Sequence, residues 1–130
     1  VIDLNDQPIR ISGQSLSPPL DLRRAYTLQL AKSLAKVDGA IHIGADMHLH
    51  GFACLLDGRA FEGEDLGRGA RYNSALRFTA EHPKIIVVVV SSDRPVSVIH
   101  QGKDVQGDCA WLQQHGCMYQ IERLEDWVGR

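Results

Sequence analysis

Asp38, Gly39 and Ala40 set a carboxylate on a glycine turn, directly before the apolar run Ile41-His42-Ile43. Further along, Gly67-Arg68-Gly69-Ala70-Arg71-Tyr72-Asn73-Ser74-Ala75 carries a glycine-rich loop with arginine into a stretch of helical character. A carboxylate is a hard oxygen ligand for a divalent cation. Backbone amides at a helix start, joined by a guanidinium, suit phosphate oxygens. The two elements together point to a nucleotide and a metal ion held between two backbone turns. In Ser91-Ser92-Asp93, the polar turn after the most apolar run in the chain, Asp93 could be a second metal ligand or could cap a turn.

Other residue clusters compete for attention. His48 and His50 alternate on one expected strand and His42 lies on its neighbour, so three imidazoles sharing a sheet face could bind a transition metal; the alternative is a polar strand face turned to solvent or a partner. Arg68, Arg71 and Arg77 fit phosphate contact or surface charge better than a nucleic-acid patch, because only Tyr72 and Phe78 accompany them. A formal net charge of -2 gives no general attraction to nucleic acid or to an anionic membrane, so any anion site must be local. Cys54, Cys109 and Cys117 are odd in number and lack CxxC spacing, which favours free thiols in a reducing, cytoplasmic setting. No apolar run approaches membrane-spanning length. A chain that opens on Val1 in place of Met is expected to be a processed product or a piece of something longer.

The elements that must position these groups follow from periodicity. At 130 residues and 44% hydrophobic, the chain can bury one core and no more. Residues 1–20, punctuated by Pro8, Gly13, Pro18 and Pro19, are expected to form an N-terminal arm, a short hairpin or the end of a linker; residues 21–130 are expected to be the domain. Leu22, Tyr26, Leu30, Leu34 and Val37 recur at helical spacing and predict an amphipathic helix over Asp21 to Val37 packing on a sheet. Strands are expected at Ala40 to Ile43 and Met47 to Leu56, with Gly51 as a bulge. Asp57 to Gly69 reads as a loop and Tyr72 to Glu81 as a helix stopped by His82-Pro83. Ile85 to Val90, apolar on both faces, is expected to be the central strand, followed by Val96 to His100 and a turn at Gln101-Gly102-Lys103. Beyond it, a short helix (108–114), a strand (117–121) and a terminal helix (123–128) are expected, with Trp111 and Trp127 as packing residues. The order predicts a single α/β domain with a central mixed β-sheet and helices on its faces.

Asp38-Gly39-Ala40-Ile41-His42-Ile43, Leu49 to Leu56, Gly69-Ala70-Arg71-Tyr72-Asn73-Ser74-Ala75 and Ile85 to Asp93 with Val96-Ser97-Val98 resemble, in order and spacing, the diadenylate cyclase domain, the nucleotide-binding domain of DNA-integrity-scanning proteins. The resemblance covers Leu22 to Lys103. It implies ATP or another adenine nucleotide as ligand, Mg²⁺ or Mn²⁺ as cofactor, and two domains face to face joining two ATP into cyclic di-AMP. Asp38 and Arg71 would then be catalytic, with Asp38 and Asp93 on metal. Gly39, Ala40, Gly69, Ala70, Arg71, Tyr72, Asn73, Ser74 and Ser91 would contact nucleotide. The family's Arg-His-Arg triplet is kept here only as Arg71, with Tyr72 and Asn73 in the other places, as in a divergent branch. An asparagine in place of an arginine forfeits about 1 to 3 kcal/mol of charge-assisted contact. The resemblance therefore implies either a cyclase or a nucleotide-sensing module of a larger signalling protein that has lost the catalysis.

Overall fold

The computed structural model describes residues 1–60, 66–91 and 94–105. Seven strands form one mixed sheet: β1 (Ile2–Asp3), β2 (Gln14–Asp21), β3 (Ala40–Gly44), β4 (His48–Cys54), β5 (Ile85–Val89), β6 (Ser97–His100) and β7 (Lys103–Asp104), with helices α1 (Ala25–Leu34) and α2 (Ala70–Glu81). Their spatial order is β2-β4-β3-β1-β5-β6-β7. All pairs are antiparallel except β1 with β3. This is a single α/β domain with a mixed sheet, as the element order predicts.

Residues 1–20, expected as an arm, contribute two strands instead. β1 is the middle strand of the sheet and joins its two halves, pairing Ile2 with Ile43 on one side and Ile86 on the other. A strand of two residues has no periodicity to read, so only its partners reveal it. The Asp3 carboxylate then fixes the chain that follows, accepting from the backbone amides of Asn5 at 3.0 Å and Ile9 at 2.9 Å. β2 takes the sheet edge, where Pro18 and Pro19 cost no ladder bonds, and its register against β4 shifts between Ser15 and Leu20. β5 is internal to the sheet but not its centre.

Helix α1 is shorter than its apolar spacing predicts. Asp21 belongs to β2, and its carboxylate accepts from the Arg23 amide at 2.9 Å, a local turn that delays the helix. Past Leu34 the bonds tighten to Lys36 N–H on Ser33 and Val37 N–H on Leu34. The helix docks through Thr27 and Ala31, both buried, while Tyr26 is 66% exposed. Small residues allow close approach to β4, and the apolar stripe one step round the helix faces outward.

The main core lies between α2 and the sheet. Ala75, Leu76 and Phe78 of α2 meet Ile85, Val87 and Ile99, and the cluster extends to Val1, Ile11 and Cys54. Thr79 is buried in α2; its hydroxyl donates to the Ala75 carbonyl at 2.8 Å and accepts from the Gly102 amide at 3.0 Å, tying the β6–β7 turn to the helix. The elements expected over 108–128, with Trp111 and Trp127, lie outside the described residues. No helix among those described is long and apolar enough to cross a membrane.

Candidate functional site

Two glycines aim the first chemical group. Gly39 has φ of +101°, and a Cβ built there would stand 2.7 Å from the Ala53 carbonyl carbon. Only a residue without a side chain lets the turn lie flat on the irregular part of β4, where Ala40 pairs with Cys54. Asp38, just before it, is held at the surface, with its Oδ1 accepting from the Gly39 amide at 3.1 Å. Gly69 ends the loop that follows a 3-10 turn over Leu66–Arg68, and with φ of +92° it caps α2. At that helix start the N-cap glycine supplies no side-chain hydrogen bond. Its first amides have no intrahelical acceptor and point out of the helix end.

A cavity of about 290 Å³ opens at this end of α2, bordered by Gly69, Ala70, Arg71, Tyr72, Ser91 and two further arginines, Arg68 and Arg94. Arg71 Nη2 lies 3.8 Å from Asp38 Oδ1, which brings the two expected catalytic residues together. Both side chains are mostly exposed, so the pair is loose, screened by salt and easily exchanged for a ligand. Arg94 Nη2 donates to the Gly67 carbonyl at 2.8 Å and pins the glycine loop. Arg68 lays its guanidinium 4.2 Å from the centre of the Tyr72 ring. Its Nη2 is 3.4 Å from Ser97 Oγ and 3.8 Å from Asp104 Oδ2, and the Tyr72 hydroxyl donates to the same Asp104 oxygen at 3.4 Å. Arg68 Nε is buried with no acceptor among the described residues.

The remaining expected site residues fall elsewhere. Asn73 is buried in α2, 4% exposed, with its backbone N–H donating to the Gly69 carbonyl, and does not border the cavity. Ser74 is half-buried on the helix, and Ala40 packs against the core. Asp93 lies outside the described residues. Arg94, just past the Ser91-Ser92-Asp93 turn, carries no local signal of its own, and Arg68 was legible only as one of three arginines. What separates them from surface charge is the fold, which brings the loop after β5 against the glycine loop.

A metal ion fits here in one sense. Mg²⁺ is commonly held by one or two carboxylates plus substrate phosphates, and Asp38 offers one exposed carboxylate beside a cavity rich in phosphate donors. Among the described residues no three His, Cys, Asp or Glu side chains converge as a self-sufficient metal centre.

The histidine face is organised differently from either expectation. His42 is 5% exposed, and its Nε2 donates to Asp3 Oδ2 at 2.8 Å. His50 lies 5.7 Å from it between ring centres and donates to Asp46 at 3.0 Å, while His48 Nδ1 donates to the Asp46 carbonyl at 2.8 Å. Burial pulls the His42 pKa down against the opposing pull of Asp3, so the ring is neutral. Burial would raise the Asp3 pKa, but hydrogen bonds from Asn5, His42 and Ile9 outweigh it and hold the carboxyl below its ordinary value. The pair is an internal brace between β1 and β3, missed because Asp3 sits far off in sequence.

No curated protein and no solved structure matches the chain. The family model for the DisA bacterial checkpoint controller nucleotide-binding domain matches residues 5–104, a span that contains the Asp38 turn, the glycine loop, α2 and all three cavity arginines. The chain therefore belongs to the DisA nucleotide-binding, diadenylate-cyclase-like domain family.

Proposed function

We propose that the cavity at the start of α2 binds ATP, and that two copies meeting face to face condense two ATP molecules into cyclic di-AMP. The observation that carries this reading is the approach of Asp38 to Arg71 at 3.8 Å on the rim of a cavity bordered by three arginines. Arg71 and the first amides of α2 hold the phosphates and stabilise charge on the attacked α-phosphate. Asp38, wholly exposed, stands where a second nucleotide on a facing copy can reach it. In each of two steps a ribose 3'-oxygen bonds to the α-phosphorus of the other nucleotide, and pyrophosphate leaves. Mg²⁺ or Mn²⁺, held by Asp38 and Asp93, would favour the deprotonated 3'-oxygen and offset phosphate charge. Adenine is carried from the family, and a cytoplasmic setting from the odd, unspaced cysteines.

One observation favours a second reading. Asn73, in the place of the family's second arginine, is buried and does not border the cavity. A site so altered suits binding without turnover, in which occupancy is relayed as a signal. Incubation with ATP and Mn²⁺ or Mg²⁺, followed by mass-resolved chromatography, separates the two. Cyclic di-AMP from the native chain and none from Asp38→Asn is the expected result. Intact ATP from a chain that binds it would leave the sensor.

A further inference from the structure

We propose that Arg68 is a phosphate-holding residue of this site and that Tyr72 is its positioning residue, so that the pair supplies a cationic contact the family triplet no longer provides. This rests on the nucleotide-binding reading above. Four observations meet at Arg68. It borders the same cavity as Arg71 and Arg94. Its guanidinium lies over the Tyr72 ring, a cation–π contact that restricts where the fork can sit. Its contacts to Ser97 and Asp104 are long, at 3.4 and 3.8 Å, and both use Nη2. Its Nε is buried without an acceptor among the described residues.

A buried donor left unmatched is costly, and native structures rarely keep one without a reason. A guanidinium clamped between an aromatic face and a weak carboxylate contact is preorganised for an acceptor that arrives later. A phosphate oxygen reaching the exposed part of the guanidinium would exchange the loose Asp104 contact for a tighter, charge-assisted one. Asp104 then competes with the ligand for Arg68 and stops the guanidinium from collapsing elsewhere. Lysine, a point charge without a planar fork, could not be held in the same way.

The test is a calorimetric titration of the protein with ATP, and separately with inorganic pyrophosphate, over a range of salt. Arg68→Gln should weaken ATP and pyrophosphate binding about 10- to 100-fold and flatten the salt dependence. Arg68→Lys should recover only part of the loss. Tyr72→Leu should weaken binding while the charge is retained, and Tyr72→Phe, which keeps the ring, should rescue most of that loss. Thermal melts of each variant confirm folding, and the salt slope reads charge at the ligand, which a purely structural residue would not alter. Unchanged ATP affinity and salt slope in a folded Arg68→Gln, with loss in Arg71→Gln, would overturn this proposal and leave the nucleotide site standing. No binding of ATP or pyrophosphate by the native chain would overturn both.

Discussion

Asp3 and His42 show what a single residue pair can control. Asp3 is fully buried, and its carboxylate is matched by two backbone amides, a side-chain amide and an imidazole. Both pKa values lie below their ordinary positions, so both linkages have one sign. The unfolded chain takes up a proton on His42 below about 6.5 and on Asp3 below about 3.9 before the folded chain does, and stability is lost as pH falls. Melting temperature should drop between pH 7 and pH 5 from the His42 linkage, with a further loss below pH 4. Asp3→Asn should cost about 3 kcal/mol at pH 7, because it leaves a buried imidazole with a poorer acceptor. A denaturant melt that finds less than a third of that would remove the brace from the account. Asp38 offers the contrast: it is fully exposed, so Asp38→Asn should leave the melt unchanged while abolishing cyclic di-AMP formation. At this scale the sequence made Asp38 and Arg71 legible, because a carboxylate on a glycine turn and an arginine after a glycine loop are local patterns. Asp3 was not legible, since its partners lie 39 positions away at His42 and on a loop it organises itself.

At the scale of elements, the two glycine turns carry different costs. Gly39→Ala adds a methyl group that meets the Ala53 backbone at 2.7 Å, in a conformation side chains avoid. It should destabilise the fold by about 2 to 3 kcal/mol and displace Asp38. Gly69→Ala finds open space, so the strain of its φ acts alone and the cost should be about 1 to 2 kcal/mol. Its larger effect belongs to function, because the turn sets where the first amides of α2 point. Urea melts of both variants, with ATP titration of the second, check the ordering; equal stability losses would contradict it. Helix α2 and strands β3, β5 and β6 were legible from periodicity, because each has a full face to bury. Helix α1 was legible in position but not in orientation, since apolar spacing marks Tyr26 and Leu30 while the small residues Thr27 and Ala31 make the contact.

The whole molecule depends on a strand too short to announce itself. β1 links the β2-β4-β3 half of the sheet to the β5-β6-β7 half, so within the sheet the Asp38 turn and the α2 cavity are joined through it. Ile2→Pro removes a ladder donor in mid-sheet and should destabilise the domain by about 3 kcal/mol or more, with loss of nucleotide binding. A folded Ile2→Pro variant of native stability would mean that the two halves hold together without the strand. Residues 1–20 read as an arm because punctuation by proline and glycine dominates any local pattern there, and long-range pairing leaves no trace in a short window. Cyclic di-AMP synthesis adds a requirement on two molecules: specific activity should rise with protein concentration until pairing saturates, and constant specific activity across a wide dilution series would contradict a face-to-face pair.

The claim beneath both functional readings is that the cavity between the glycine loop and the β5–β6 turn holds the phosphates of a nucleotide. Calorimetric titration of ATP into the native chain and into Arg71→Gln tests it most directly. Saturable binding by the native chain is expected, weakened about 10-fold or more in Arg71→Gln while the melting temperature is kept, because Arg71 is 77% exposed and its pair with Asp38 is loose. Equal affinity of the two chains for ATP, or no heat of binding from either, would contradict it.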